Sequence, residues 1–172
     1  MTIQPTGRRE SRDGTSYVVY TRTFQAPIED VWAAVTEPRR LERWIGTWSG
    51  DPASGSVEFQ MTAESEDAAA ETHRIDVCDP PRRLATRSQA PGQDIVWRLE
   101  LDLAEEAGTT TLTFAQAMDD PELASSVGPG WEYYLDRLVA AETGGDVASV
   151  DFGDYHPQQS EHYRSAFSTR AT

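Results

Sequence analysis

The sequence predicts an α+β domain in which a curved antiparallel sheet of about six strands wraps around a long C-terminal helix. Three observations carry this expectation. Short β-branched and aromatic runs with period-two alternation fill the middle of the chain, two short amphipathic stretches follow the first run, and a longer apolar helical stripe follows the last. At 172 residues the chain has the usual size of one domain and can bury a single core.

Residues 17–24 are β-branched and aromatic and suit a strand, which Pro27 ends because proline cannot donate to a ladder. Ile28, Val31, Trp32 and Val35 then recur at helical spacing, and residues 38–44 form a second short helix with Pro38 in its first turn. The Gly, Ser, Asp and Pro content of residues 46–56 reads as a loop. Val57, Phe59, Met61 and Ala63 alternate with polar residues as in a half-buried strand, and the acidic residues 64–70 turn the chain. Strands over 71–77 and 84–88 flank Pro80-Pro81, which stops any ladder. Ile95, Trp97, Leu99, Leu101 and Leu103 alternate most clearly, and Gly108 turns that strand into residues 109–118.

Asp119 and Pro121 start a helical stretch that Gly128-Pro129-Gly130 is expected to interrupt. Beyond it, Trp131, Tyr134, Leu135, Leu138 and Val139 give the long closing helix its apolar stripe, and Gly144-Gly145 stops it. Residues 1–142 are therefore read as the domain and 143–172 as an acidic, aromatic C-terminal extension. Phe152, Tyr155, Tyr163 and Phe167 are too many aromatics for a disordered segment, so a short helix within 157–167 should pack, either on its own domain or on a second copy. The second case would make a homodimer.

Composition excludes several functions. The net charge of −14 opposes nucleic acid and anionic membrane surfaces as partners, and no apolar run is long enough to cross a bilayer. All fifteen basic residues are Arg, so neither a lysine Schiff base nor a Walker A loop can form. Cys78 is alone, which rules out an internal disulfide, and the polar residues 1–12 lack a secretory signal, so a cytoplasmic location is expected. Ser49 sits one position away from the place it would hold in a nucleophile elbow, with no strand before it as that elbow requires. His156 and His162 have neither the spacing nor the Cys partner of a structural metal site, so no metal and no cofactor is expected.

Residues 26–38, Ala-Pro-Ile-Glu-Asp-Val-Trp-Ala-Ala-Val-Thr-Glu-Pro, continuing to Leu41 and Trp44, resemble the SRPBCC superfamily, specifically its heat-shock-protein ATPase activator homologue-like branch. Asp79-Pro80-Pro81-Arg82-Arg83-Leu84 is similar to that branch's turn into the fourth strand, and Gly130-Trp131 with Leu135 and Leu138 to the start of its final helix. The resemblance covers about residues 16–142 and implies the helix-grip, START-like fold. It also implies a small hydrophobic ligand in a cavity between the sheet and the C-terminal helix. The large aromatics common in the family's fourth strand are missing from Ala85-Thr86-Arg87-Ser88.

Alternation in the strands selects Phe59, Met61, His73, Trp97, Phe114 and Gln116 as candidate cavity residues; Trp131 and Leu135 come from the stripe of the closing helix, and Trp44 and Trp48 from their place beside the Gly-rich loop. His73 and Glu71 share the face of Ile75 and Val77, as Thr86 and Ser88 share that of Leu84, which makes a polar strip in an apolar cup. Glu71 orienting His73 would serve acid/base chemistry, yet a strand-end His is more often structural, so no residue is assigned a catalytic role. A noncatalytic binder of a small apolar molecule is the favoured reading. The alternatives are an enzyme of polyketide cyclase or aromatase type and a chaperone-associated interaction module.

Overall fold

The computed structural model describes residues 3–89, 92 and 94–168. Eight strands form one antiparallel sheet: β1 (Arg8–Arg12), β2 (Thr15–Phe24), β3 (Thr47–Ser49), β4 (Ser56–Gln60), β5 (Glu71–Asp79), β6 (Arg83–Gln89), β7 (Val96–Glu106) and β8 (Thr109–Ala117), in the order β1-β2-β8-β7-β6-β5-β4-β3. The helices are α1 (Ile28–Thr36), α2 (Pro38–Leu41), α3 (Pro121–Glu142) and α4 (Ser160–Ser168). This is the expected α+β helix-grip fold, with two strands more than the sequence suggests. No helix among the described residues is long and apolar enough to cross a membrane.

The chain divides into two compact units, Arg22–Phe114 and Met1–Thr21 with Ala115–Thr172. In the first, α1 starts after Pro27 and its first N–H donates to Glu105 Oε1 at 2.7 Å, which satisfies one of the donors a helix start leaves open. Its buried face is Ile28, Val31, Ala34 and Val35. It ends at Glu37 because the residue before a proline is held extended. The second helix is shorter than expected, ending at Leu41.

Four further expectations need correction in this unit. Residues 46–56 are not all loop: Thr47-Trp48-Ser49 pairs with β4 as an edge strand, and the turn-forming residues build only the connection after it, where Asp51 Oδ1 accepts from Ala53 N–H at 2.9 Å. Val77 does not continue the face of His73 and Ile75. The β5–β6 register shifts between Ile75 and Val77, and a bulge of this kind changes the phase by one residue, leaving Val77 39% exposed. Ile95 lies outside β7 and is 46% exposed, because the β6–β7 pairing ends at Gln89 and Val96. The strand expected over 57–63 likewise stops at Gln60, with Ala63 exposed.

In the second unit, β1 and β2 form a hairpin that the sequence reading passed over. Asp13 and Gly14 both have positive φ, at 51° and 83°, between the paired Arg12 and Thr15, as in the two-residue turn that Asp-Gly favours. Asp120 caps α3 by accepting from Glu122 N–H at 2.8 Å, and Pro121 takes the first position. The helix then runs straight through Gly128-Pro129-Gly130, so the expected interruption is absent. Tertiary packing decides this. A Cβ on Gly128 would fall 2.2 Å from Tyr163 Cγ, and the Gly128 carbonyl accepts from Tyr20 OH at 2.9 Å, so the missing side chain makes a seat for two tyrosines.

The C-terminal extension packs on α3 and the N-terminal segment of the same chain. Tyr155, Tyr163 and Phe167 are buried, Tyr155 OH donates to Asp136 Oδ2 at 2.7 Å, and Gln159 Nε2 donates to the Ile3 carbonyl at 3.0 Å. The four-residue spacing of Tyr163 and Phe167 puts both on the inward face of α4, as their stripe in the sequence suggests.

Candidate functional site

Cross-strand register decides which side chains meet on the sheet of the Arg22–Phe114 unit. Val57 faces His73, His73 faces Ser88, and Ser88 faces Trp97, so four strands contribute one continuous row. A neighbouring row runs Trp48, Phe59, Glu71. On the other side of the first row lie Ile75, Thr86 and Leu99. Residues directly opposite in antiparallel strands share a face, so these rows form one apolar surface with a few polar groups.

Burial varies along that surface. Leu101, Leu103, Leu112 and Phe114 are buried, whereas Val57, Phe59, Met61, His73, Trp97 and Leu99 are only half-buried. Large apolar side chains are thus left partly open at one end of the face. Trp48 is half-buried too, and its indole N–H donates to the Thr36 carbonyl at 2.7 Å, which satisfies the polar edge and leaves the ring as apolar area. Trp44 lies deeper: it is buried, and its N–H donates to the Ala34 carbonyl at 3.0 Å.

His73 sits with its ring centroid 5.3 Å from that of Phe59. Burial pushes its pKa down, opposed by the nearby Glu58 carboxylate, so the neutral imidazole is favoured. No hydrogen bond links Glu71 to His73. The unfolded chain therefore takes up a proton near pH 6.5 that the folded chain resists. Stability that this group leaves intact above about pH 6.5 is lost as the pH falls towards the lowered folded value. Chemical denaturation of the wild type and His73→Gln across about pH 7.5 to 5 should show a steeper acid loss for the wild type. Parallel curves would place His73 in water.

The other candidates lie in the second unit. Trp131 Nε1 donates to Gln116 Oε1 at 2.5 Å, and Leu135 is buried on the same helix. An indole N–H can only donate, so the contact fixes the amide's orientation and leaves Gln116 Nε2 buried without a partner. The sequence reading missed Glu132, which is 1% exposed. Its Oε1 accepts from Thr6 N–H at 2.6 Å, from Gly7 N–H at 2.7 Å and from the Tyr163 hydroxyl, and Thr6 Oγ1 lies 3.0 Å from both carboxylate oxygens. Burial, with Tyr20 and Glu132 nearby, raises the Tyr163 pKa and keeps that phenol a donor. The signal was available, since Gly128, Glu132 and Leu135 fall on one helical face. With its carboxylate taken up by donors from the N-terminal segment and α4, this cluster is a brace.

Two open depressions mark the Arg22–Phe114 unit. One, of about 350 Å³, is lined by Asp79, Arg82, Arg83 and Asp102 among others, and the other, of about 450 Å³, by Ser54, Ser56, Thr72, Arg74 and Asp76. Neither includes a candidate cavity residue.

The family model for activator of Hsp90 ATPase homolog 1-like proteins matches residues 25–142. The chain belongs to this family. Its extension after residue 142 lies beyond the match. The crystal structure of CalU16 from Micromonospora echinospora is similar at 25% identity and a TM-score of 0.75, over 96% of this chain and 98% of that one. DynU16, a protein of the dynemicin biosynthetic locus, is 27% identical with a TM-score of 0.65, over 76% of this chain and 49% of that one. A conserved protein of unknown function from Enterococcus faecalis, at 21% identity and a TM-score of 0.68 over 96% of this chain and 91% of that one, shares the fold. No curated protein matches. A fold of this family fits ligand binding.

Proposed function

We propose that the chain binds a small hydrophobic molecule on the half-open apolar face formed by Trp48, Val57, Phe59, Met61, His73 and Trp97. One observation carries the reading: Val57, Phe59, Trp97 and Leu99, on one face with His73, remain half-buried, while Leu101 and Leu103 further along β7 are buried. Covering such surface releases roughly 25 cal/mol per Å², so a flat apolar ligand of modest size gains enough to offset its immobilisation. Neutral His73 and the Ser88 hydroxyl give that ligand polar points of contact, with the Glu71 carboxyl at the edge of the face. The likeness to DynU16 fits a role beside small-molecule biosynthesis.

Native mass spectrometry of freshly purified protein, with extraction of bound material, tests the reading when combined with the fluorescence of N-phenyl-1-naphthylamine. The wild type should carry a small-molecule adduct or brighten the dye. Phe59→Glu should lose either signal while keeping its far-ultraviolet circular dichroism, and Val77→Glu, at an exposed bulge position, should keep it. Equal behaviour of both variants, or a wild type that neither carries an adduct nor binds the dye, would contradict the proposal.

A further inference from the structure

The opposite, polar face of the same sheet carries a charge arrangement that the apolar face does not explain. Arg74 on β5 lies directly across from Arg87 on β6, and Arg87 directly across from Arg98 on β7. Three arginines thus stand side by side on strands spaced about 4.8 Å apart. Like charges placed opposite one another weaken a sheet, so fold stability gives no reason for the row. Arg87 Nε lies 3.2 Å from Asp76 Oδ1, but neither Arg74 nor Arg98 has a hydrogen bond or ion pair among the described residues.

The shortage of partners is local. On the same face, Arg83 is paired with Asp102 at 2.8 Å and Glu100 at 3.2 Å, and the chain holds 29 acidic residues against 15 Arg. At the β4 end of the row, Arg74 faces Ser56 and borders the open depression of about 450 Å³ with Ser54, Ser56 and Thr72. The row therefore runs across three strands from a hollow lined by hydroxyls and by Asp76, the carboxylate 3.2 Å from Arg87.

We propose that this row is a docking surface for an acidic segment of a partner protein. Guanidinium groups match carboxylates in planar, paired geometry, and the row's spacing suits carboxylates at i and i+4 of a helix, which lie about 5–6 Å apart. A nucleic acid fits less well. Its many phosphates would meet the field of a chain with net charge −14, whereas a short acidic segment needs to match only the row.

Fluorescence anisotropy with a fluorescein-labelled helical peptide bearing Glu at i and i+4 tests the proposal at low salt. The wild type should bind it and ignore the Gln version of the peptide. Arg74→Gln with Arg98→Gln should weaken binding roughly tenfold without lowering the melting temperature, because repulsion is relieved. Arg39→Gln with Arg43→Gln, on exposed positions of the α2 region, should leave it unchanged. The proposal is overturned if the control pair weakens binding equally, if the wild type fails to bind, or if the Arg74/Arg98 pair destabilises the fold. A single-stranded oligonucleotide binding more tightly through the same arginines would also overturn it.

Discussion

Replacing Glu132 with alanine is expected to cost about 3–5 kcal/mol of stability, the range found when one partner of a buried charged network is removed. The reason lies in what the change leaves behind. Thr6 N–H, Gly7 N–H and the Tyr163 hydroxyl all donate to this carboxylate; without it the buried Tyr163 hydroxyl loses its acceptor and the buried Gly7 N–H keeps only the Tyr163 oxygen at 3.1 Å. Glu132→Gln keeps one acceptor oxygen and should cost less. The network joins three distant stretches of sequence, since Thr6, Glu132 and Tyr163 belong to the N-terminal segment, α3 and α4. Its loss should therefore loosen both chain ends on α3. Urea denaturation read by linear extrapolation checks the value, and a loss below about 1 kcal/mol would show that the donors find other acceptors.

Gly128→Ala should destabilise by about 2–3 kcal/mol, although local preference points the other way. In an exposed helix interior, alanine is favoured over glycine by about 1 kcal/mol. Here the added methyl would sit 2.2 Å from Tyr163 Cγ and 2.4 Å from Cδ2, on a ring whose hydroxyl is tied to Glu132 and to Gly7 N–H. The ring cannot give way without breaking those bonds, so α4 must move. Thermal denaturation should show a lower melting temperature, and limited proteolysis should cut the C-terminal extension faster. In a Tyr163→Ala background the same substitution should cost little, because the clash has gone. A stabilised Gly128→Ala protein would mean that helix propensity governs this position and that α4 is not seated there.

The order of elements was legible because alternation and capping act locally. Strands β2, β7 and β8, the α1–α2 pair and the start of α3 follow from residues within a few positions of one another. What escaped was set by contacts distant in sequence. Gly128-Pro129-Gly130 reads as a helix break until Tyr163, 35 residues beyond Gly128, fills the space a side chain would take. The bulge after Ile75 carries no mark in the sequence, yet it turns Val77 outward while His73 keeps its phase with Ile75. Asp13-Gly14 did carry a mark, a favoured hairpin turn, that went unread. Among the candidate cavity residues, Phe59, His73 and Trp97 share one face of the Arg22–Phe114 unit, since period-two alternation is a direct geometric rule, and Trp48, expected in a loop, joins them through the edge strand β3. Trp44 shows the limit of that rule: it lies on the chain after α2, and its depth depends on the Ala34 carbonyl it reaches. The arginine row was equally hidden, because it exists only once three strands are placed in register.

The most direct test of the central claim is a ¹H–¹⁵N NMR titration with N-phenyl-1-naphthylamine, following the well-separated indole N–H signals and the backbone amides of β4 to β7. Ligand binding on the apolar face predicts saturable shifts of the Trp48 and Trp97 indole signals and of the amides of Val57, Phe59, His73 and Ser88, with the Trp44 indole unaffected. Shifts confined to Val77, Ile95 and the arginine-bearing face, or no saturable shift at all, would contradict it.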